Sequence, residues 1–203
     1  MISLFIIKSY LGGRFMKEMV MSEAEIVSAC RSLGRKITED LKDEDKLPLF
    51  VCVMKGAMPF MVDLLKYVDV PLLEDYVQLE SYSGTQTTGT VRLLRDLPTS
   101  IDGRTVVIVE DVVDTGLSMA FLTDHLKKIG KPKRVLVCAL FDKKIARQVE
   151  VKVDYAGRVL TENKFLLGYG LDYKGLKRNI PYVYIPTSDE VKEMDDLLAK
   201  KAI

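Results

Sequence analysis

The strongest signals along the chain are short, unbroken apolar runs set between segments whose apolar residues recur every three or four positions. Leu49-Phe-Val-Cys-Val-Met54, Thr105-Val-Val-Ile-Val109 and Arg134-Val-Leu-Val-Cys-Ala-Leu140 are rich in β-branched residues. Runs of this length and composition predict strands buried on both faces. Helical spacing appears in Ile26, Val27, Cys30, Leu33 and Ile37, behind the capping-box sequence Ser22-Glu-Ala-Glu25. It recurs in Phe60, Met61, Leu64, Leu65 and Val68, with Pro59 suited to the first helical position. A third helix is predicted from Met119 to Ile129, stopped by Gly130, with Lys127 and Lys128 placed against its negative end. Thr187-Ser-Asp-Glu190 opens a fourth, carrying Val191, Met194, Leu197 and Leu198. Glu74 to Tyr82 and Val91 to Leu97 read as further strands, and Glu110 to Gly116 as a loop. This order predicts an α/β fold: a parallel sheet with right-handed crossovers, helices on its faces, and ligands at the carboxyl ends of its strands.

Composition changes the picture in three places. A chain of 203 residues, 48% hydrophobic and 29% charged, suits one globular domain. Thirty basic against 29 acidic residues leave a formal charge of +1, without the basic footprint of a nucleic-acid binder or a polybasic membrane anchor. No nucleic-acid or membrane partner is expected, and any anionic ligand must be held locally. Cys30, Cys52 and Cys138 are odd in number, far apart and mostly inside apolar runs. That argues against a disulfide framework or a zinc cluster and points to a reducing, cytoplasmic setting. The single histidine, His125, excludes a multi-histidine metal site and reads as a solvated or capping residue. Met1 to Lys8 is apolar, but far shorter than the ~20 residues of a membrane span and without the basic start of a signal peptide. Residues 1–20 are expected to be an extension, and 21–203 a single domain.

The chemistry concentrates in Val106-Val-Ile-Val-Glu110-Asp111-Val-Val-Asp114-Thr115-Gly116-Leu117-Ser118. Three carboxylates lie within five positions of a strand end, and a Thr-Gly-x-Ser turn opens the next helix. A helix start offers unpaired N–H groups and a positive dipole end, and Thr115 and Ser118 add hydroxyls, so the turn suits a phosphate monoester. Glu110 and Asp111 then suit the hydroxyls of a sugar carrying that phosphate. A plain helix cap would need only one of these side chains.

The segment resembles the phosphoribosyl pyrophosphate-binding signature of type I phosphoribosyltransferases, and most resembles that of hypoxanthine-guanine phosphoribosyltransferases. The resemblance runs from about Met21 to Pro186, with separate motifs in the same order. It implies a parallel-sheet core flanked by helices and a small hood subdomain formed by the N-terminal and C-terminal segments. It also implies that Glu110 and Asp111 hold the ribose hydroxyls, partly through Mg²⁺, and that Asp114 is the catalytic acid/base beside N7 of the purine. Asp114, Thr115, Gly116, Leu117 and Ser118 would cradle the 5′-phosphate. Lys55-Gly56 resembles the family's pyrophosphate loop, which contains a non-proline cis peptide; Arg178 would meet the same pyrophosphate. Ser81-Tyr82 resembles the start of a closing lid, although the Gly/Thr-rich stretch after it is equally a mobile hairpin connection. Lys143 would select the 6-oxo group, Phe165 would stack on the base, the Leu166 backbone would bond its edge, and Asp172 would contact Mg²⁺. Without the resemblance, Phe165 and its neighbours read as a core strand. Gly157 to Asn163 is about one residue longer than the family's usual approach to the stacking aromatic and lacks its common proline.

The implied reaction joins a 6-oxopurine to the 5-phosphoribosyl group of phosphoribosyl pyrophosphate, giving a purine 5′-monophosphate and pyrophosphate, in a homodimer or homotetramer. A xanthine-preferring transferase and a non-catalytic nucleotide sensor are the alternatives. Retention of Asp114 counts against the sensor, which needs no acid/base.

Overall fold

A computed structural model describes residues 17–81 and 91–201. In chain order the elements are β1 (Glu18–Met21), α1 (Glu23–Leu41), β2 (Leu49–Met54), α2 (Met58–Leu65), β3 (Leu73–Ser81), β4 (Val91–Arg95), β5 (Thr105–Val113), α3 (Leu117–Ile129), β6 (Arg134–Asp142), β7 (Tyr155–Val159), β8 (Val183–Ile185) and α4 (Ser188–Lys200). Six strands form one sheet in the order β4-β3-β2-β5-β6-β7, and β1 pairs with β8 in a separate two-stranded sheet. All pairings in the large sheet are parallel except β3 with β4. The parallel expectation therefore fails at one edge, where β4 is the returning arm of a hairpin.

The unbroken apolar runs are explained by burial on both faces. Phe50 and Cys52 of β2 pack with α1 and α2 on one side of the sheet, while Leu49, Val51 and Val53 pack with Met119, Leu122 and Leu126 of α3 on the other. Each such large side chain taken fully from water contributes roughly 1.5–3 kcal/mol. A smaller cluster of Leu167, Tyr184 and Met194 joins the segment before β8 to α4. Cys30, Cys52 and Cys138 are free and buried, and burial pushes all three thiols up, Cys30 to about 11 and Cys52 to about 12. Among the described residues, no helix is long and apolar enough to cross a membrane.

Caps act where the sequence places them. Ser22 and Glu25 form the reciprocal box of α1, and the Thr187 hydroxyl accepts from the Glu190 N–H at the start of α4. Three boundaries differ from expectation. The fold begins before residue 21, because Glu18–Met21 pairs with Val183–Ile185. The helix after Pro59 stops at Leu65, and Val68 packs on the core from the turn beyond it. Strand β5 runs on through Glu110 and Asp111 to Val113, held by register with Ala139, Phe141 and Asp142 of β6. These acids therefore sit on a strand rather than in a loop. His125 is neither a cap nor free: its Nε2 lies 2.8 Å from Asp96 Oδ2, and its ring stacks on Phe121.

The amino ends of the strands are closed by charge pairing. Glu44 accepts from Thr105 Oγ1 at 2.8 Å, from Lys133 Nζ at 2.8 Å and from Arg134 Nη2 at 2.7 Å. Burial opposes ionisation of Glu44, but the bonds from Lys133, Thr105 and Arg134 outweigh it and hold the carboxyl down at about 2. A group with a depressed folded pKa stabilises the fold fully above its ordinary value and loses that contribution as pH falls through the folded one. Glu44→Gln is therefore expected to cost about 1–2 kcal/mol near neutrality, allowing for solvent screening, and to flatten the fall in stability between about pH 5 and pH 2. Urea unfolding at stepped pH checks this; parallel wild-type and variant profiles would refute it.

Candidate active site

Three strand ends and one helix start meet at the carboxyl edge of the sheet. Strand β5 delivers Glu110 and Asp111, β2 delivers Lys55-Gly56, and β6 ends at Asp142, directly before Lys143. Between β5 and α3 the chain turns through Asp114, Thr115 and Gly116. Gly116 is the N-cap residue of α3 at φ +86°, and no side chain caps the helix from that position. The Leu117 N–H donates to Thr115 Oγ1 at 3.4 Å. A hollow of about 210 Å³ lies against this turn, lined by residues that include Glu110, Asp114, Thr115, Gly116 and Ser118. A helix start opening into such a hollow is a place for an anion.

Glu110 and Asp111 are hydrogen-bonded to each other, and Glu110 Oε2 is buried with no partner among the described residues. Burial and the neighbouring Asp111 push Glu110 well above the carboxylate range. Burial also raises Asp111, against the bond from Glu110, the Val112 N–H and the charge of Arg178. Two acids this close and this poorly solvated share a proton until something else supplies positive charge or donors.

Space around Asp111 is set by glycines. A β-carbon on Gly56 would lie 1.8 Å from Asp111 Oδ2, and one on Gly170 would lie 2.0 Å from the Gly56 carbonyl oxygen. The peptide between Met54 and Lys55 is cis. Gly170, at φ +95°, belongs to the segment that also presents Asp172 and Arg178. Arg178 Nη2 is 2.7 Å from Asp172 Oδ1 and its Nη1 donates to the Gly170 carbonyl at 2.6 Å, so these two predicted site residues pair with each other. Lys55 is exposed at the rim.

Beside Asp114, Lys143 is buried, yet its Nζ lies 3.4 Å from Asp114 Oδ2 and 3.4 Å from Asn163 Oδ1. Asn163 is a polar neighbour that sequence reasoning passed over; it stood inside the atypical stretch 157–163, and only its nearness to Phe165 could have flagged it. Phe165 is 50% exposed and meets Tyr173 edge-on at 6.0 Å between ring centres, so the core-strand reading fails for Phe165 itself. Leu166 and Leu167 are buried as that reading expected, but they lie outside the strands, Leu167 making only an isolated bridge to Tyr184. Ser81 ends β3, while Tyr82 and the Gly/Thr-rich stretch lie outside the described residues, as does Met1 to Lys8.

Residues 18–174 match the phosphoribosyl transferase domain. The chain belongs to that family. It is 43% identical over 170 residues to the bifunctional protein TilS/HprT of Listeria monocytogenes, covering 83% of this chain and 26% of that one. The chain thus spans about a quarter of the length of that relative. It is 40% identical over 171 residues to the hypoxanthine-guanine-xanthine phosphoribosyltransferase of Tritrichomonas foetus, covering 84% of this chain and 91% of that one. The crystal structure of a hypoxanthine phosphoribosyltransferase from Staphylococcus aureus superposes with a TM-score of 0.79 at 34% identity, covering 86% and 93% of the two chains.

In this member of the phosphoribosyl transferase family, the contact between Gly170 and Gly56 links the two segments that flank the carboxylate pair. Gly170→Ala combines a left-handed backbone with a collision against main-chain oxygen. It is expected to destabilise the fold by about 2 kcal/mol or more, and a thermal melt checks it. An unchanged midpoint would mean that the two loops do not abut in solution.

Proposed function

We propose that this chain transfers the 5-phosphoribosyl group from phosphoribosyl pyrophosphate to N9 of a 6-oxopurine, hypoxanthine or guanine, releasing pyrophosphate and a purine 5′-monophosphate. The observation that carries this reading is the grouping at one strand edge. A carboxylate, Asp114, and a buried lysine, Lys143, lie 3.4 Å apart beside the start of α3 and the closely spaced acids Glu110 and Asp111. Phosphate, ribose and base each find a complementary partner there, in the order in which they are joined.

The 5′-phosphate sits at Thr115 to Ser118, on the positive end of α3. Glu110 and Asp111 take the ribose hydroxyls, which replace the shared proton as donors. Lys143 has only donors to offer, so it would donate to the 6-oxo oxygen and find no acceptor in the 6-amino group of adenine. Phe165, half-exposed and braced by Tyr173, stacks on the purine, and the Leu166 backbone bonds its edge. The C1′–O bond to pyrophosphate breaks as N9 attacks from the opposite face, and positive charge builds on the ribosyl ring. Asp114 holds or moves the proton at N7 of the base. Lys55, Arg178 and the N–H groups of the Lys55-Gly56 loop receive the departing pyrophosphate. The small β1–β8 sheet with α4 serves as the hood.

The acid pair also fits a divalent cation. Glu110 Oε2 has no partner among the described residues, and the pair lacks the nearby positive charge that would let both acids ionise, which is what a hard cation supplies to carboxylate oxygens. Among the described residues no three metal-ligating side chains converge, and Asp172 is paired with Arg178; Glu110 and Asp111 would therefore hold Mg²⁺ together with oxygens of the donor, and the chemistry of the ion is to neutralise charge on the pyrophosphate.

Pyrophosphate release is to be measured with phosphoribosyl pyrophosphate, Mg²⁺ and, separately, hypoxanthine, guanine, xanthine and adenine. Turnover with 6-oxopurines and none with adenine is expected. No turnover with any base, alongside tight nucleotide binding, would overturn the reading in favour of a sensor. Asp114→Asn is expected to lower kcat by ~100 to ~10,000-fold with the KM for phosphoribosyl pyrophosphate nearly unchanged. Lys143→Met should raise the KM for the purine by roughly 10-fold or more, the cost of losing a charge-assisted hydrogen bond. Steady-state kinetics of both variants checks these values.

A further inference from the structure

The turn that takes the phosphate does not hold its own shape. Its underside rests on the strap from Asp142 to Val151, which follows β6. The Thr115 carbonyl accepts from the N–H groups of Gln148 at 2.9 Å and Val149 at 3.1 Å, and the Val113 carbonyl accepts from the Lys143 N–H at 3.0 Å. One side chain ties strap and turn together. Arg147 Nη2 donates to the Val113 carbonyl at 3.4 Å and to Asp142 Oδ1, and its Nη1 donates to the Val151 carbonyl at 3.2 Å. Asp142 is almost fully buried, Arg147 is largely covered, and its Nε has no partner among the described residues. A β-carbon on Gly116 would lie 2.4 Å from the Val149 carbonyl oxygen and 2.9 Å from Arg147 Cδ, so turn and strap are in direct contact.

The consequence follows from the planarity of the peptide. In a trans peptide the N–H of one residue points opposite to the carbonyl of the residue before it. With the carbonyls of Val113 and Thr115 pinned to the strap, the N–H groups of Asp114 and Gly116 face the other way, out of the strap. We propose that Arg147 is a positioning residue for the phosphate-binding turn: without touching the ligand, its forked guanidinium holds the Val113 carbonyl directly and, by bracing the strap through Asp142 and Val151, holds the Thr115 carbonyl indirectly, so that the N–H groups of Asp114 and Gly116 converge on a 5′-phosphate. A buried cation beneath the turn, offset by Asp142, adds to the same preference for an anion above it. This inference rests on the functional reading given above. It assigns a role to a residue that reading does not use.

The test compares wild type with Arg147→Lys and with the double variant Asp142→Asn/Arg147→Met, which removes the buried pair together rather than stranding an acid. Inosine 5′-monophosphate is the calorimetric probe, and kinetics report KM for phosphoribosyl pyrophosphate and for hypoxanthine separately. The double variant is expected to bind the monophosphate ~10 to 100-fold more weakly and to raise the KM for phosphoribosyl pyrophosphate in the same range, while the KM for hypoxanthine moves less than threefold. Arg147→Lys keeps the charge but not the fork, and should fall between. Variants that bind the monophosphate like wild type would overturn the inference and leave the function standing, as would full rescue by lysine. Equal losses for donor and base, with a lowered thermal midpoint, would reduce Arg147 to a general structural role and overturn it too. Wild-type protein that neither turns over nor binds the monophosphate would remove the functional reading and the inference together.

Discussion

A β-carbon on Gly56 would lie 1.8 Å from Asp111, and one on Gly170 would lie 2.0 Å from the Gly56 oxygen; this absence of side-chain volume is the constraint on which the ligand-facing edge depends. It lets the loop after β2 and the segment before Arg178 close on the acids at the end of β5. The same approach crowds Glu110 and Asp111, and that crowding raises their affinity for protons. In the proposed function it makes the pair ready to exchange the proton for sugar hydroxyls and a cation. Packing at two glycines and electrostatics at two acids are thus one arrangement.

The two ends of the sheet divide stability from chemistry. At the amino end, Glu44, Arg134, Lys133 and Asp40 satisfy one another, and Glu44 keeps its charge because three donors face it. At the carboxyl end, Asp172 with Arg178, Asp114 with Lys143 and Asp142 with Arg147 are paired, but Glu110 Oε2 has no partner among the described residues. Open-edged parallel sheets bind at the carboxyl ends of their strands because helix starts and loop backbones converge there. Here the residues at that end also leave polar atoms unsatisfied, at a cost of order 1–3 kcal/mol for each buried one.

What could be read in the sequence follows from which interactions are local. Strands β2, β5 and β6 were legible because burial on both faces leaves an unbroken apolar run, and α1 because its capping box and apolar spacing agree. The proposed ligand-binding segment stood out in the sequence because three acids and a Thr-Gly-x-Ser turn lie together in the chain. The extension of β5 through Glu110 and Asp111 was not, since charged residues at a strand end look like a loop until β6 supplies the register. Strand β1 was missed because its partner, β8, lies near the other end of the chain. Asn163 and Arg147 were invisible for the same reason: the one matters through Lys143, the other through carbonyls of a turn remote in sequence. Phe165 sits in an apolar run whose neighbours are buried while its own ring is not, a distinction that periodicity over so few residues does not make.

Charge balance gives the last step of the argument for the cation. The phosphoribosyl donor is a polyanion, yet the side chains assigned to hold it and its acceptor include four acids, Glu110, Asp111, Asp114 and Asp172, and three bases, Lys55, Lys143 and Arg178. Lys143 already faces Asp114, and Arg178 already faces Asp172. Lys55 is then the one assigned base not already facing a partner among the described site residues. The chain as a whole, at +1, supplies no long-range attraction to make up the difference. The start of α3 contributes about half an elementary charge at most, spread over its first turn. Two further positive charges placed against Glu110 and Asp111 would turn the most repulsive part of the site into its firmest hold on the sugar and pyrophosphate. The ribose hydroxyls bring donors to these two acids but no charge, so a divalent cation is what would balance a pair that burial already penalises.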